Sequence, residues 1–211
     1  MNPVSMRHEL RLKRQGISLI AGVDEAGIGP LAGPVVAAAV ILREDLRIKG
    51  LDDSKKLSSI KREELYESII YSSVSVGIGI VDSNIIDSIN ILQASRRAMI
   101  FAIRSLSKKP EHLLVDGIRE IPKIGIAQTC IKHGDGICSS IAAASIISKV
   151  IRDKLMEHYD MIYPQYSFSE HKGYGTQKHM KLLRKYGPTP IHRISYEPVL
   201  RCLKVRGFIF A

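Results

Sequence analysis

A chain of 211 residues is long enough to bury a hydrophobic core as a single domain. Lys and Arg number 31 against 21 acidic residues, and the formal charge of +10 favours a polyanionic partner, either nucleic acid or an anionic membrane surface. The longest apolar run, Gly33 to Leu42, falls short of the ~20 residues of a membrane span and contains Pro34, while Cys130, Cys138 and Cys202 are odd in number and lack metal-ligand spacing, which argues for a reduced, cytoplasmic chain off the membrane.

The first strand-like run, Ile17 to Val23, ends on Asp24-Glu25 and then the turn Gly27-Ile28-Gly29-Pro30. The basic start before it resembles a signal peptide only superficially, because the two acids cut the apolar region short. Val35 to Leu42 is a continuous apolar run suited to a strand buried on both faces. Ser58 or Ser59 is a candidate cap for a helix over Lys61 to Ile70. Val74 to Ile80 alternates with small residues as a strand does, and apolar residues recur at helical spacing from about Asn84 to Ser107. His112 to Val115 reads as a buried strand ending on Asp116-Gly117, and Ile126 to Ile131 as another, followed by a turn at Gly134-Asp135-Gly136. A long helix is predicted from about Ser140 to Tyr159, with Ser145, Lys149 and Arg152 on a face of their own. Helices over Gln177 to Tyr186 and Pro198 to Lys204 complete the chain. No linker or repeat divides it, and strands alternating with helices indicate the α/β class.

Four carboxylates stand at the ends of these elements: Asp24, Glu25, Asp116 and Asp135. Successive strand residues point to opposite faces, so Asp24 and Glu25 can share a site only where the strand breaks, which Gly27 and Gly29 allow. Asp116 ends a strand as Asp24 does, and adjacent strands lie about 4.8 Å apart, within reach of a common cation. Hard oxygen ligands suit Mg²⁺ or Mn²⁺. Taken alone, an Asp-Glu pair is more often an acidic turn, and Asp116 and Asp135, each before a glycine, read equally well as turn caps.

The remainder of the chain decides between these readings. From Ile20 to Pro198 it resembles bacterial ribonuclease HII, on segments that occur in family order: Gly22-Val23-Asp24-Glu25-Ala26-Gly27, Leu51-Asp52-Asp53-Ser54-Lys55-Lys56-Leu57, Asn90-Ile91-Leu92-Gln93-Ala94, Val115-Asp116-Gly117, Gly134-Asp135, Ala143 to Lys149, His171-Lys172-Gly173-Tyr174-Gly175-Thr176 and Pro190 to Tyr196. Each segment alone is weak; spread over the chain they are specific.

The resemblance implies a ribonuclease H-like fold, a mixed β-sheet flanked by helices with a helical C-terminal part over the substrate groove. On that reading 1–211 is one catalytic domain, with a core of about 18–160 and a substrate-binding part of about 161–211. It implies an endoribonuclease that hydrolyses the RNA strand of RNA–DNA hybrids and cuts 5′ to ribonucleotides embedded in duplex DNA. The implied chemistry is two-metal-ion hydrolysis with Mg or Mn, leaving 3′-hydroxyl and 5′-phosphate ends, with Asp24, Glu25, Asp116 and Asp135 as metal-binding acids. Tyr174 is the implied reader of the 2′-hydroxyl, and Gly27-Ile28-Gly29 the turn that grips the RNA–DNA junction. Ser54, Lys55 and Lys56 are candidate phosphate ligands or simply a solvated basic turn. Lys149 and Lys172 are further candidates, a solvated face being the simpler account of Arg152, and His192 and Arg193 read as well as structural residues. The chain departs from the family pattern at Ile28, where arginine is expected, and in Lys132-His133-Gly134-Asp135-Gly136-Ile137-Cys138, where the family has Lys-Gly-Asp and then lysine and serine in place of Ile137 and Cys138. These departures keep open a second reading, a hybrid-binding protein with weak or no catalysis. A monomer is expected, and the tail Arg206 to Ala211 is a candidate contact for a replication clamp, with docking on the chain's own core the simpler account.

Overall fold

The apolar run Val35–Leu42 is a strand buried at every position, as a strand covered on both faces must be. In the computed structural model, which describes residues 4–44 and 48–205, it is β2 of a five-stranded sheet. The other strands are β1 (Ile20–Ala26), β3 (Ser73–Val81), β4 (His112–Asp116) and β5 (Ala127–Ile131), in the order β3-β2-β1-β4-β5. β2 pairs antiparallel with both β1 and β3, whereas β4 pairs parallel with both β1 and β5. The sheet is therefore mixed, and helices cover both faces, as expected of the α/β class.

The pleat sorts side chains between those faces. Ala21 and Val23 of β1, with Leu113 and Val115 of β4, join the core that contains Ala94, Ala98 and Ala102 of α4 (Ile91–Arg104). Ile20 and Leu114 face the other way, onto Ile141 of α5 (Ser139–Ile162). The contact with α5 is close: a Cβ on Gly22 would lie 2.1 Å from the carbonyl carbon of Ser140, so only glycine fits there. α2 (Ser59–Tyr71), capped by the Ser58 side chain, lays Leu65 and Ile69 against the same helix. Each such aliphatic side chain taken wholly from water contributes ~1.5–3 kcal/mol.

Four differences from the sequence-based expectations have physical causes. The region from 84 to 107 is two helices, α3 (Ser83–Ile89) and α4, because Asn90 takes φ of 65° between them and its side chain caps α4. β5 lies at the sheet edge with every residue exposed or half-buried, so it is not a buried strand. β1 does not end at Val23 but runs on through both acids to Ala26, because its ladder with β2 continues to Val36, and the chain leaves the strand at Gly27. A helix that the periodicity did not announce, α1 (Arg7–Lys13), precedes the sheet; Glu9 is its buried residue.

After α5 the chain folds back over the β1–β2 turn through α6 (Phe168–His171), α7 (Gln177–Tyr186) and α8 (Glu197–Val205). Leu31 N–H donates to Gly173 O, and Arg193 N–H donates to Leu31 O, so both segments are hydrogen-bonded to that turn. His171, His179 and His192 pack with Tyr166 and Phe168 in a buried aromatic cluster, with His179 Nε2 and His192 Nε2 3.0 Å apart. Among the described residues no helix is long and apolar enough to cross a membrane. The tail proposed for clamp contact lies outside the described residues.

Candidate active site

β1 and β4 run parallel with Val23 opposite Val115, so Asp24 and Asp116 follow side by side at the strand ends. The pleat turns both toward α5, on the face of Ile20, Gly22 and Leu114. A 3₁₀ turn at Gly134–Gly136 brings in Asp135. Ligand oxygens of Asp24, Asp116 and Asp135 lie within 4.8 Å of one another, with Asp24 and Asp135 buried.

Each carboxylate is held by its own neighbourhood. Asp24 accepts from the Glu25 N–H at 2.8 Å and lies against the Ser145 hydroxyl. Asp116 accepts from Gly134 N–H at 2.7 Å, and Asp135 from Gly136 N–H at 3.0 Å. Lys55 Nζ donates to Asp135 at 3.3 Å and puts one positive charge at the cluster. Burial, followed by the charges of Glu25 and Asp116, raises the Asp24 carboxyl well above the usual carboxylate range. Burial and the nearby Asp135 raise Asp116 as well.

Glu25 stands apart from the three. It shares the face of Ala21 and Val23, toward α4, and its carboxyl meets Ser95 of that helix. Burial and the charge of Asp116 push it up to about 7. The expectation that a strand break lets both neighbouring acids turn to one site is therefore replaced by a geometry in which they straddle the end of β1.

Three buried or half-buried carboxylates in this proximity repel one another, and among the described residues Lys55 is the cation paired with them. A hard divalent cation with an oxygen donor set is the group they fit. Asp24, Asp116 and Asp135 present the oxygens for it directly.

The glycine turn that follows β1 is built around two arginines. Arg193, with no exposed surface, donates to Gly27 O at 2.6 Å, to Ile28 O at 2.9 Å and to Gly33 O at 3.0 and 3.1 Å. Arg152, equally buried, donates to Pro34 O and Ala32 O. Gly27 has φ of 104°, and a Cβ there would stand 2.3 Å from Arg152 Nε, so glycine is required on both counts. Tyr174 stands over the turn, 3.8 Å from where a Cβ of Gly29 would be, with Lys149 and Arg152 about its ring at 5.8 and 5.7 Å.

The remaining candidates are more scattered. Ser54 is buried with its hydroxyl 2.9 Å from that of Ser145, an internal contact behind Asp24. Lys56 pairs with Asp52, Lys149 with Asp153 and Lys172 with Glu157. Ile28 is partly exposed and Ile137 lines a groove beside Asp135. Cys138 is buried and donates its thiol to Glu9. The sequence reading missed the clamping roles of Arg152 and Arg193. A signal existed for Arg152: Ser145, Ser148 and Met156 share its helical face, and a charge amid that spacing is out of place on a buried stripe.

Comparison with known proteins agrees with this geometry. Residues 21–199 match the protein family described as Ribonuclease HII. A Ribonuclease HII of Geotalea daltonii is 52% identical over 202 residues, covering 96% of this chain and 93% of the relative. The ribonuclease H2 of Pyrococcus horikoshii superposes with a TM-score of 0.73 at 27% identity, over 88% of this chain and 97% of its own. The RNase HII in a PCNA complex from Archaeoglobus fulgidus gives 0.71 at 26% identity, over 85% and 95%. The fold is accordingly ribonuclease H-like. With half its residues identical to such a relative along almost the entire length, the chain belongs to the ribonuclease HII family and is a metal-dependent endoribonuclease.

Proposed function

We propose that the chain hydrolyses the RNA strand of RNA–DNA hybrids and cuts on the 5′ side of ribonucleotides embedded in duplex DNA, leaving 3′-hydroxyl and 5′-phosphate ends. One observation carries this reading: β1 delivers Asp24 to the carboxylate cluster, and five residues later the same chain delivers Gly29 to the ring of Tyr174. A cleavage centre and a candidate sugar reader are thus fixed to one short segment.

Asp24, Asp116 and Asp135 hold the divalent ions, Mg or Mn, and Glu25 contributes from the other side of the strand end. Two such ions, when bound, supply Lewis-acid stabilisation of the charge that develops on the phosphate and its leaving oxygen. Lys55 partners Asp135 and is poised to exchange that carboxylate for a substrate phosphate. Arg193 and the Tyr196 hydroxyl engage the carbonyls of the glycine turn, and among the described residues none accepts from the N–H groups of Ile28 and Gly29. Those amides suit a phosphate at the junction. Tyr174, 42% exposed and braced by the two cationic side chains, offers a ring face for the sugar and a hydroxyl for the 2′-OH. The helical segment from 161 onward forms the wall that carries it.

The test is a labelled DNA duplex with one ribonucleotide, incubated with Mg²⁺ or Mn²⁺ beside an Asp116→Asn control. A metal-dependent cut 5′ to the ribonucleotide, absent in the control, supports the reading. Tight binding of the duplex with no cut under either metal sinks it and leaves a hybrid-binding protein.

A further inference from the structure

The N-terminal helix is joined to the loop that follows Asp135 by an unusually specific set of contacts. Glu9, buried on α1, accepts a 2.8 Å hydrogen bond from Ser140 N–H and one of 3.1 Å from the Cys138 thiol. Ser5 N–H donates to Ile137 O at 3.0 Å, and Ser139 N–H donates to Ser5 O at 3.2 Å. The first turn of α1 therefore moves with the carboxylate turn and cannot swing away without exposing a buried acid.

What this attachment holds in place is basic. Arg7 and His8 line a groove of about 600 Å³ together with Lys55, Lys56 and His133, and Asp135 of the carboxylate cluster lies in the same groove. The acids that line the groove are Asp53 and Asp135, and Asp52 stands beside it. Lys55 already lies within 4.0 Å of Asp53 and Asp135, and Lys56 is paired with Asp52. Arg7 and His133 are exposed and His8 is half-buried, and none of the three side chains makes an ion pair or hydrogen bond among the described residues. His133 is also held in the left-handed region at φ 57°, a conformation most side chains avoid, so the turn aims it by backbone geometry.

We infer that this groove is a subsite for the phosphodiester backbone of the nucleic-acid substrate, with Arg7, His8 and His133 extending from Asp135 the track that Lys55 and Lys56 begin. The inference rests on the nuclease reading above. Phosphate is the anion that matches an unpaired arginine, two lysines and two imidazole rings with N–H groups to donate, lined up in a groove that ends at a candidate metal-binding carboxylate, and contacts of this kind fix the register of a strand without reading its sequence.

The test measures affinity in the Asp116→Asn chain, which binds without cutting, for an RNA–DNA hybrid over a salt series. Arg7→Gln, His8→Gln and His133→Asn are compared with Lys109→Gln, a charge loss before the start of β4, at the end of that strand remote from Asp116. Asparagine is chosen at 133 because it tolerates the left-handed backbone. Arg7→Gln is expected to bind about tenfold more weakly at low salt and to flatten the slope of log affinity against log salt by roughly 0.7–0.9. Lys109→Gln is expected to change neither. Arg7→Gln and His133→Asn that match the parent in affinity and slope overturn the inference. Parallel cleavage by the unaltered chain separates the two claims: failure to cut refutes the nuclease reading, whereas cutting with unchanged Arg7→Gln binding refutes the subsite alone.

Discussion

Gly134 N–H donates a 2.7 Å hydrogen bond to Oδ1 of Asp116, so the carboxylate at the end of β4 orients the turn that carries Asp135. Two of the three clustered acids are thereby one mechanical unit. The third, Asp24, is tied to β4 through the parallel β1 pairing. Backbone hydrogen bonds hold the like charges at close range, and a cation entering the cluster finds its ligands already arranged.

Gly134→Ala tests that unit. A Cβ there would stand 2.6 Å from Cδ1 of the buried Ile141 and 3.3 Å from Cβ of Ile131, so the turn must shift. Overpacking of this kind costs about 1–3 kcal/mol. Mn²⁺ affinity, measured by calorimetry, is expected to fall at least about tenfold, in line with lost support for a metal ligand. Unaltered affinity would show that Asp135 is positioned independently of the Asp116 hydrogen bond.

Asp116→Asn should move activity and stability in opposite directions. Cleavage falls by about a thousandfold or more, since metal-centred charge stabilisation is worth several kcal/mol. The metal-free protein, relieved of one of three mutually repelling carboxylates, melts higher, by about 2–4 °C for each kcal/mol of repulsion removed. The amide oxygen still accepts from Gly134, so the turn is preserved. Thermal melts without metal decide the matter, and a lower melting temperature contradicts the electrostatic account.

Where the sequence was legible, one local rule sufficed. Val35–Leu42 is apolar throughout and is buried throughout, and Asp24 and Asp116 each follow an apolar run, so parallel pairing of those runs puts them together. Where it was not, the answer lay far along the chain. Arg193 reads in the sequence as a structural residue as readily as a functional one, and nothing near it in the chain names its partners, the carbonyls of Gly27, Ile28 and Gly33. Glu25 looks like the twin of Asp24, and the pleat sends it to the opposite face once β1 continues through Ala26. α1 carries no apolar stripe to announce it, because Glu9 is the side chain it buries.

Arg193→Lys is expected to behave almost as badly as Arg193→Gln. A guanidinium spans three carbonyls from fixed directions, whereas an ammonium cannot reach all of them. Leaving buried carbonyls unpaired costs about 1–3 kcal/mol each, and a total loss of ~3 kcal/mol lowers the melting temperature by roughly 6–12 °C. Chemical denaturation of both variants checks this. Lysine rescue to near-parent stability would mean that charge, and not the hydrogen-bond fork, holds the turn.

Ile28→Arg should strengthen substrate binding. The backbone of Ile28 is fixed by Arg193 and Tyr196 through its carbonyl, and its side chain is 39% exposed, so arginine fits without disturbing the turn. A charge-assisted contact to phosphate is worth about 1.5–3 kcal/mol, or roughly 10- to 100-fold in KM. Steady-state kinetics on a duplex with one embedded ribonucleotide measures it. An unchanged KM would place the junction somewhere other than the glycine turn.

The pH dependence of stability should differ between metal-free and metal-loaded protein, because two sets of buried groups act with opposite sign. Burial and the charge of Asp116 raise Glu25 to about 7, and Asp24 is raised as well. Without metal the folded chain therefore keeps protons that the unfolded chain has released, and stability declines as pH rises from about 4.5 to about 7. Burial lowers His179 to about 4 and His192 to about 3, so the unfolded chain takes up protons that the folded cluster refuses, and stability declines as pH falls below about 6.5. Metal binding must displace the protons on the acids, which removes the first contribution and leaves the second. The stabilisation produced by saturating Mn²⁺ is therefore expected to grow steadily from pH 5 to about 7 and then level off, while the loaded protein loses stability on acidification below 6.5. Thermal melts with and without Mn²⁺ across pH 4.5–8 measure both trends. A metal-induced shift of equal size at pH 5 and pH 8 would mean that the clustered carboxyls are already ionised in the metal-free fold, and the repulsion argued for Asp24, Glu25 and Asp116 would have to be abandoned.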